Sequence, residues 1–350
     1  MGNPELRRNL WLEFTANRLL IGPLLLLVLF AAAGAADWSL ARLVSGAVSF
    51  PIVSAVAHWG FLAIVLLWGG RQAAGAVIGE IRGRTWDGQR MSALGPWAMT
   101  LGKLIGATSY SWALGLCCLV IYVGVESYNG AGGAALIMAA SMIGFGLVCQ
   151  TVGLLLSLTR LSRTPGFRPG NTTLIHFVAL LATGALLLAA RVPGWFKIDW
   201  YGLQFDDGLF VALTGWFFAL WGVVGINRRM RRELQFRNAP WVWLIFLVFF
   251  TVYTNGIAHR NPLPGAQLMI AFVSITIFVY LLILFEPKDP EGARRTMGQF
   301  RGGKVGAGIA AMPLWLLTFG ALTLVSVVGA ILVLGGVFDG DPRFEALTPR

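Results

Sequence analysis

Charge is what this sequence has least of. Lys, Arg, Asp and Glu make up 12% of its 350 residues, where a soluble domain carries about 25%, and that shortfall excludes an ordinary soluble protein. Carboxylates number only sixteen, and no charged residue of either sign stands in the middle of a long apolar run. An ion-driven carrier normally needs an intramembrane carboxylate or an unwound polar site, since a charge in hydrocarbon is costly and is kept for function. Neither is legible here. An intramembrane enzyme is equally unsupported, with no His-Glu-x-x-His, no Ser/His/Asp set placeable at one depth and no paired carboxylates within the runs. Cysteine is limited to Cys117, Cys118 and Cys149, all inside apolar runs and without metal-type spacing. They read as small apolar residues, and no redox compartment follows from them. His58 and His176 read as hydrogen-bonded interior or interfacial histidines rather than a proton relay.

Apolar surface is what the chain has in plenty, with 57% hydrophobic residues and a mean hydropathy of +0.71. A hydrocarbon core needs about 20 apolar residues in a helix. Nine runs qualify, near 19–36, 52–70, 104–125, 133–158, 173–190, 208–226, 241–258, 265–285 and 312–336. They are apolar on every face, which predicts spanning helices rather than the alternating segments of a β-barrel. The expected fold class is all-α, a polytopic integral membrane protein of about nine transmembrane helices.

Lys and Arg in short loops tend to stay cytoplasmic. With the N-terminus inside, 21 of the 27 basic residues fall on the cytoplasmic side and six outside, while the acidic residues divide eight and eight. The net charge of +11 and the isoelectric point near 10.3 therefore read as topology and contact with anionic lipid, not as nucleic-acid binding. Leu6, Leu10 and Phe14 recur every four residues opposite Arg7, Arg8 and Glu13. This predicts an amphipathic helix over 1–18 lying in the cytoplasmic interface, rather than a cleaved signal. The outside link 191–208 carries Trp195, Phe196, Trp200, Tyr201 and Phe205, aromatics expected at headgroup level.

Two further patterns call for a reading. The inside loop 227–240 holds Arg228, Arg229, Arg231, Arg232 and Arg237, a topology anchor. Residues Gly298 to Val305 match the Gly-x-x-x-x-Gly-Lys skeleton of a phosphate-binding loop, but Val305 stands where Ser or Thr would hold magnesium and no strand precedes it. No nucleotide site is encoded here. Gly75 with Gly79, and Gly102 with Gly106, have the spacing that lets helices approach closely.

The purposeful stretch is Glu80 to Lys103, EIRGRTWDGQRMSALGPWAMTLGK, a polar basic loop between the second and third apolar runs. Its Glu80, Thr85, the short amphipathic run Met91-Ser92-Ala93-Leu94, Pro96 and the pair Gly102-Lys103 resemble the corresponding loop of ABC-2 type exporter permeases, the membrane subunits of ATP-driven transporters. Asn3-Pro4-Glu5-Leu6-Arg7-Arg8 is similar to the interfacial helix ahead of their first span. The usual form of that family has glycine immediately before the Thr, where this chain has Arg84 with Gly83 one place earlier, and its core has six spans.

The resemblance implies a six-span core over 19–227 with a coupling loop at 71–103, and three additional spans over 228–350 with basic cytoplasmic loops. It implies a separate ABC ATPase as partner, which would hold the ATP and magnesium. This chain then has no cofactor and no enzymatic activity of its own. It further implies a homodimer or heterodimer of permeases in the inner membrane of a bacterium. Met91 and Leu94 would pack against the ATPase, Arg82, Arg84 and Arg90 would pair with its acidic groups, and Pro96 and Trp97 would set the angle of re-entry into the membrane. From different classes, a non-transporting membrane scaffold and a secondary carrier stand as alternatives.

Overall fold

Asn3 sets the first helix: its side-chain oxygen accepts the amides of Glu5 (3.0 Å) and Leu6 (3.3 Å), and Pro4 takes the first helical position, where a missing N–H costs nothing. The computed structural model describes residues 3–44, 49–161, 172–190, 197–236, 238, 240–257, 266–285 and 290–335. The expectations attached to Arg163, Arg168, Trp195, Phe196 and Arg237, and part of the charge count, lie outside those residues. The helices are α1 (Pro4–Glu13), α2 (Ala16–Val44), α3 (Pro51–Phe61), a π-helix (Leu62–Gly69), α4 (Gly70–Arg82), α5 (Trp86–Arg90), α6 (Pro96–Gly106), α7 (Ser109–Tyr128), α8 (Gly132–Leu161) and α9 (Thr172–Ala190). Then come strands β1 (Lys197–Trp200) and β2 (Leu203–Asp206), followed by α10 (Asp207–Glu233), α11 (Trp241–Ile257), α12 (Ala266–Phe285), α13 (Pro290–Arg301), α14 (Val305–Ala311) and α15 (Leu314–Leu334).

The architecture is that of a helical polytopic membrane protein. Among the described residues, six helices are long and apolar enough to cross a membrane: α2, the continuous rod from α3 through the π-helix to α4, α7, α8, α10 and α15. The helices α9, α11 and α12 are also apolar, over Thr172–Leu188, Trp241–Ile257 and Gln267–Ile283. The apolar runs near 173–190, 241–258 and 265–285 are therefore helical as expected, but they are not among the six.

The chain divides into two units: Met1–Trp195 with Asp207–Phe236, and Phe196–Asp206 with Arg237–Arg350. In the first, α8 is the central helix, packed by α4, α7, α9 and α10. One core of this unit gathers Val77, Trp86, Met99, Leu104, Leu154, Leu158, Ile226 and Met230. The buried carboxylate of Asp37, late in α2, accepts the amides of Ile52 (3.0 Å) and Val53 (2.9 Å) and so caps α3. The π-helix loosens the backbone ladder, and two of its carbonyls find side-chain donors. Gln150 Nε2 donates to the Val65 carbonyl at 3.2 Å, and His176 Nε2 to the Leu66 carbonyl at 3.0 Å. Where no water is at hand such groups must be satisfied internally. His176 is thus an interior hydrogen-bonding residue.

In the second unit, β1 and β2 pair antiparallel through the two-residue turn Tyr201-Gly202, both at positive φ (52° and 84°) as a type I′ hairpin requires. Asp199 accepts the Gly202 amide at 2.7 Å and closes it. This hairpin is the departure from an all-α reading. Trp200, Tyr201 and Phe205 are hairpin residues, and Trp200 and Tyr201 donate to the carbonyls of Tyr253 (3.2 Å) and Val252 (3.1 Å) on α11. Strands of four residues are too short for alternation to announce them in the sequence. Phe246 and Phe250 of α11 meet Phe278 of α12 edge to face, with centroids 5.4 and 4.8 Å apart. The phosphate-loop lookalike lies across the end of α13. Gly303 (φ 70°) ends that helix and Lys304 precedes α14, so the geometry is helix–turn–helix rather than strand–loop–helix.

Candidate functional site

The loop after α4 begins with a helix stop of the Schellman type. The Thr85 amide donates back to the Glu80 carbonyl (2.9 Å) and the Arg84 amide to the Ile81 carbonyl (3.1 Å). That geometry puts the residue before Thr85 in the left-handed region, and Arg84 is there at φ 56°. Glycine is the residue that sits there without cost, and an arginine holds the turn at some strain.

The short helix of this loop is α5, Trp86–Arg90, and not the run Met91 to Leu94, which lies in turns and bends beyond it. Five residues after Thr85 suffice because Trp86 drives its ring into the core (4% exposed) and anchors that single turn. The chain re-enters at Pro96, the first residue of α6. Gly102 and Lys103, at the end of the loop, lie inside this helix rather than at the start of the third span. The run near 104–125 is broken at Ala107 and Thr108, so α6 is a separate helix laid against α1, and the span proper is α7.

Lys103 is consequently buried, at 1% exposure, inside a polar cluster. Its ammonium donates to Glu5 Oε1 (3.2 Å), to Gln89 Oε1 (2.7 Å) and to the carboxylate of Glu80, and lies 5.3 Å from the centroid of the Trp86 ring. Three donors meet three acceptors. Arg8 completes the neutralisation, reaching Glu5 Oε2 and Glu80 Oε1, each at 3.2 Å, and Gln89 Nε2 donates to Glu80 Oε1 at 2.7 Å. Two cations face two carboxylates, with Lys103 and Glu5 buried, Glu80 nearly so and Arg8 part-exposed, and mutual neutralisation with satisfied hydrogen bonds is the condition under which a buried ion pair survives its desolvation.

Helix α1 is held by the same cluster. Asn9 donates to Glu5 Oε1 (3.2 Å) and to the Gly102 carbonyl (3.1 Å), and Asn3 donates to the Ala98 carbonyl at 2.7 Å. A Cβ on Gly106 would come within 2.6 Å of Asn9 Cβ, and one on Gly102 would strike Glu5, so the Gly102 and Gly106 pair is the seat of α1. Gly79 has open space beside it and Gly75 meets only Thr172, at 3.5 Å. The buried side of α1 is therefore polar, Glu5 and Asn9. Of the predicted interfacial stripe, Leu10 is exposed, Leu6 is half-buried and Phe14 packs edge-on against Tyr110.

The residues expected to contact a partner divide into two groups. Glu80 is inside the Lys103 cluster. Arg90 donates to the Glu233 carbonyl (3.1 Å) and reaches Asp87 (3.6 Å). Leu94 packs on the core around Trp86 and Met99. These serve the chain's own fold. Arg82, Arg84, Thr85, Met91 (83% exposed) and Trp97 (52% exposed) lie on the surface, with Pro96 half-buried between them. Sequence reading did not single out Glu5, Trp86 or Gln89. The one local sign was a carboxylate and Asn9 four residues apart on α1, facing two glycines four apart on α6. Among the described residues no group of three or more His, Cys, Asp or Glu gathers as a metal site would require. Comparison with known protein families, with curated proteins and with solved structures finds no match to this chain.

Proposed function

We propose that this chain is the membrane subunit of an ATP-driven exporter of the ABC-2 type. It would span the cytoplasmic membrane of a bacterium nine times with its N-terminus inside, as the apolar runs and the basic loops suggest. A separate ABC ATPase, which binds the ATP and magnesium, would drive it by docking on the loop 80–97, and two permease subunits would enclose the path. The observation that carries this reading is the buried Lys103 cluster. An ATPase can move membrane helices only through a part stiff enough to transmit displacement. Here one ammonium ties α1, the end of the α4 rod, α5 and α6 into a single block. The exposed face of that block carries Arg82, Arg84, Met91 and Trp97, a basic and apolar mix suited to an acidic partner groove.

Purification of the tagged chain from its native membranes tests the proposal. The expected result is co-elution of a protein that hydrolyses ATP, lost in Met91→Asp and weakened in Arg82→Glu. Recovery of the intact chain without any ATPase overturns it, and a partner devoid of ATPase activity turns the reading to a membrane scaffold.

A further inference from the structure

Beside the Lys103 cluster, a polar cavity of about 510 Å³ opens between α1, α2, α4 and α6, lined among others by Arg8, Glu13, Arg18, Gln72, Glu80 and Lys103. A second pocket, of about 360 Å³ and almost wholly apolar, lies between α2, the π-helix and α7, with Leu25, Leu26, Ile64 and Leu114 on its walls. Arg18 and Trp68 line both. The two spaces are therefore the polar and apolar ends of one amphipathic site. Tyr110 stands at the waist, its ring 5.5 Å from that of Trp68 and 5.8 Å from the Arg18 guanidinium carbon.

The polar groups of this site are not all spent. Arg8 and Lys103 are taken up by Glu5 and Glu80. Arg18 uses one nitrogen, Nη1, on Glu13, and among the described residues its Nε and Nη2 make no hydrogen bond, the guanidinium otherwise lying over the Tyr110 ring. Gln72 donates its Nε2 to Glu13 at 3.1 Å, which fixes the amide orientation and leaves Oε1 buried with no donor. An unpaired buried acceptor is costly and calls for an N–H or O–H from a ligand. Arg18 lines both spaces, and Gln72 with the Glu13 carboxylate lines the polar one only. An acyl chain, a phosphate and a primary ammonium two carbons beyond it match these in order.

We propose that this is a binding site for an aminophospholipid of the phosphatidylethanolamine kind: acyl chain along Leu25 and Leu26, phosphate on Arg18, ammonium on Gln72 Oε1 and the Glu13 carboxylate. The choline headgroup has no N–H to give Gln72, so the site discriminates by hydrogen bonding rather than by charge. The inference rests on the membrane reading alone and is independent of any ATPase partner.

Native mass spectrometry of the full-length chain in mild detergent, titrated with phosphatidylethanolamine and with phosphatidylcholine of identical acyl chains, tests it. The expected result is about tenfold tighter binding of the ethanolamine lipid, the size of one charge-assisted hydrogen bond. Gln72→Leu abolishes the preference, Gln72→Glu keeps it, and Leu25→Trp, which fills the apolar pocket, weakens both lipids. Equal affinity of the two lipids for the wild-type chain overturns the proposal. So does full displacement of the lipid by water-soluble glycerophosphoethanolamine, which reports a headgroup site with no chain pocket. If Gln72→Leu fails to fold, the wild-type ratio and the Gln72→Glu variant still decide the matter.

Discussion

Lys103 Nζ lies 3.2 Å from Glu5 Oε1, ninety-eight residues away in the chain, with the two side chains 1% and 2% exposed. The contact makes the N-terminal helix part of the loop that follows the second apolar run. Stability and function of that loop are therefore tied to a residue near the start of the chain, and the strength of the tie is measurable.

Lys103→Met removes the buried one of the two cations and leaves Glu5 and Glu80 to share the part-exposed Arg8. Breaking a buried pair from one side costs about 3–5 kcal/mol, so the variant is expected to unfold at a markedly lower temperature in detergent and to expose α1 to protease. The double variant Lys103→Met with Glu80→Gln recovers part of the loss. A purely additive pair would show that the two groups do not interact.

Arg84 holds a left-handed turn position at φ 56°. Arg84→Gly relieves a strain of about 1 kcal/mol, offset in part by the greater freedom of glycine in the unfolded chain. A rise in the thermal midpoint is expected. The same change should weaken capture of an ATPase if the guanidinium contributes to docking, which separates the backbone role from the charge.

Gly102→Ala and Gly79→Ala are predicted to have opposite signs. A methyl on Gly102 meets the Glu5 side chain and the backbone of Leu6, which dislodges α1 and lowers stability. Nothing lies within 4 Å of a Cβ on Gly79, so alanine there should gain about 0.5–1 kcal/mol from helix propensity. Thermal unfolding of the two variants side by side checks the pair.

Met91→Asp and Leu94→Asp differ in the same manner. Met91 is 83% exposed, whereas Leu94 packs on the core around Trp86. Aspartate at 91 should leave the melting temperature unchanged and remove partner binding. At 94 it buries a charge and costs about 2 kcal/mol or more, so a loss of binding there reports unfolding of the loop rather than a lost contact.

Gln150→Leu strips a donor from the Val65 carbonyl and an acceptor from Trp112 Nε1, which donates to Gln150 at 2.8 Å. Hydrogen bonds between membrane helices are worth about 0.6–2 kcal/mol. A loss in that range is expected by thermal unfolding, whereas Gln150→Glu, which places an ionisable carboxyl at a fully buried site against the Val65 carbonyl, should lose more at neutral pH.

The loop after the second run was legible as a special segment because polar residues interrupt an apolar background, whereas the stop at Glu80–Thr85 turns on Arg84, a residue type that does not announce a left-handed position. Which of its residues face outward was not legible. Arg90 and Leu94 have the chemistry of surface contacts and are consumed internally, because α10 and the Trp86 core happen to stand beside them. The hairpin at 197–206 escaped for a different reason: each strand is only four residues long, below the length at which a period of two stands out.

The sequence by itself determined a helical, multi-pass architecture and the presence of a helix ahead of the first long apolar run, because helix caps and apolar run length are local properties. Only the tertiary structure decided that α6 is a separate helix, that Lys103 is a buried hub rather than the mouth of a span, and that Glu5 and Glu80 are its counter-ions. Those facts depend on which charges meet once helices distant in sequence have packed, and a buried ammonium is tolerable only where carboxylates from elsewhere in the chain arrive to neutralise it.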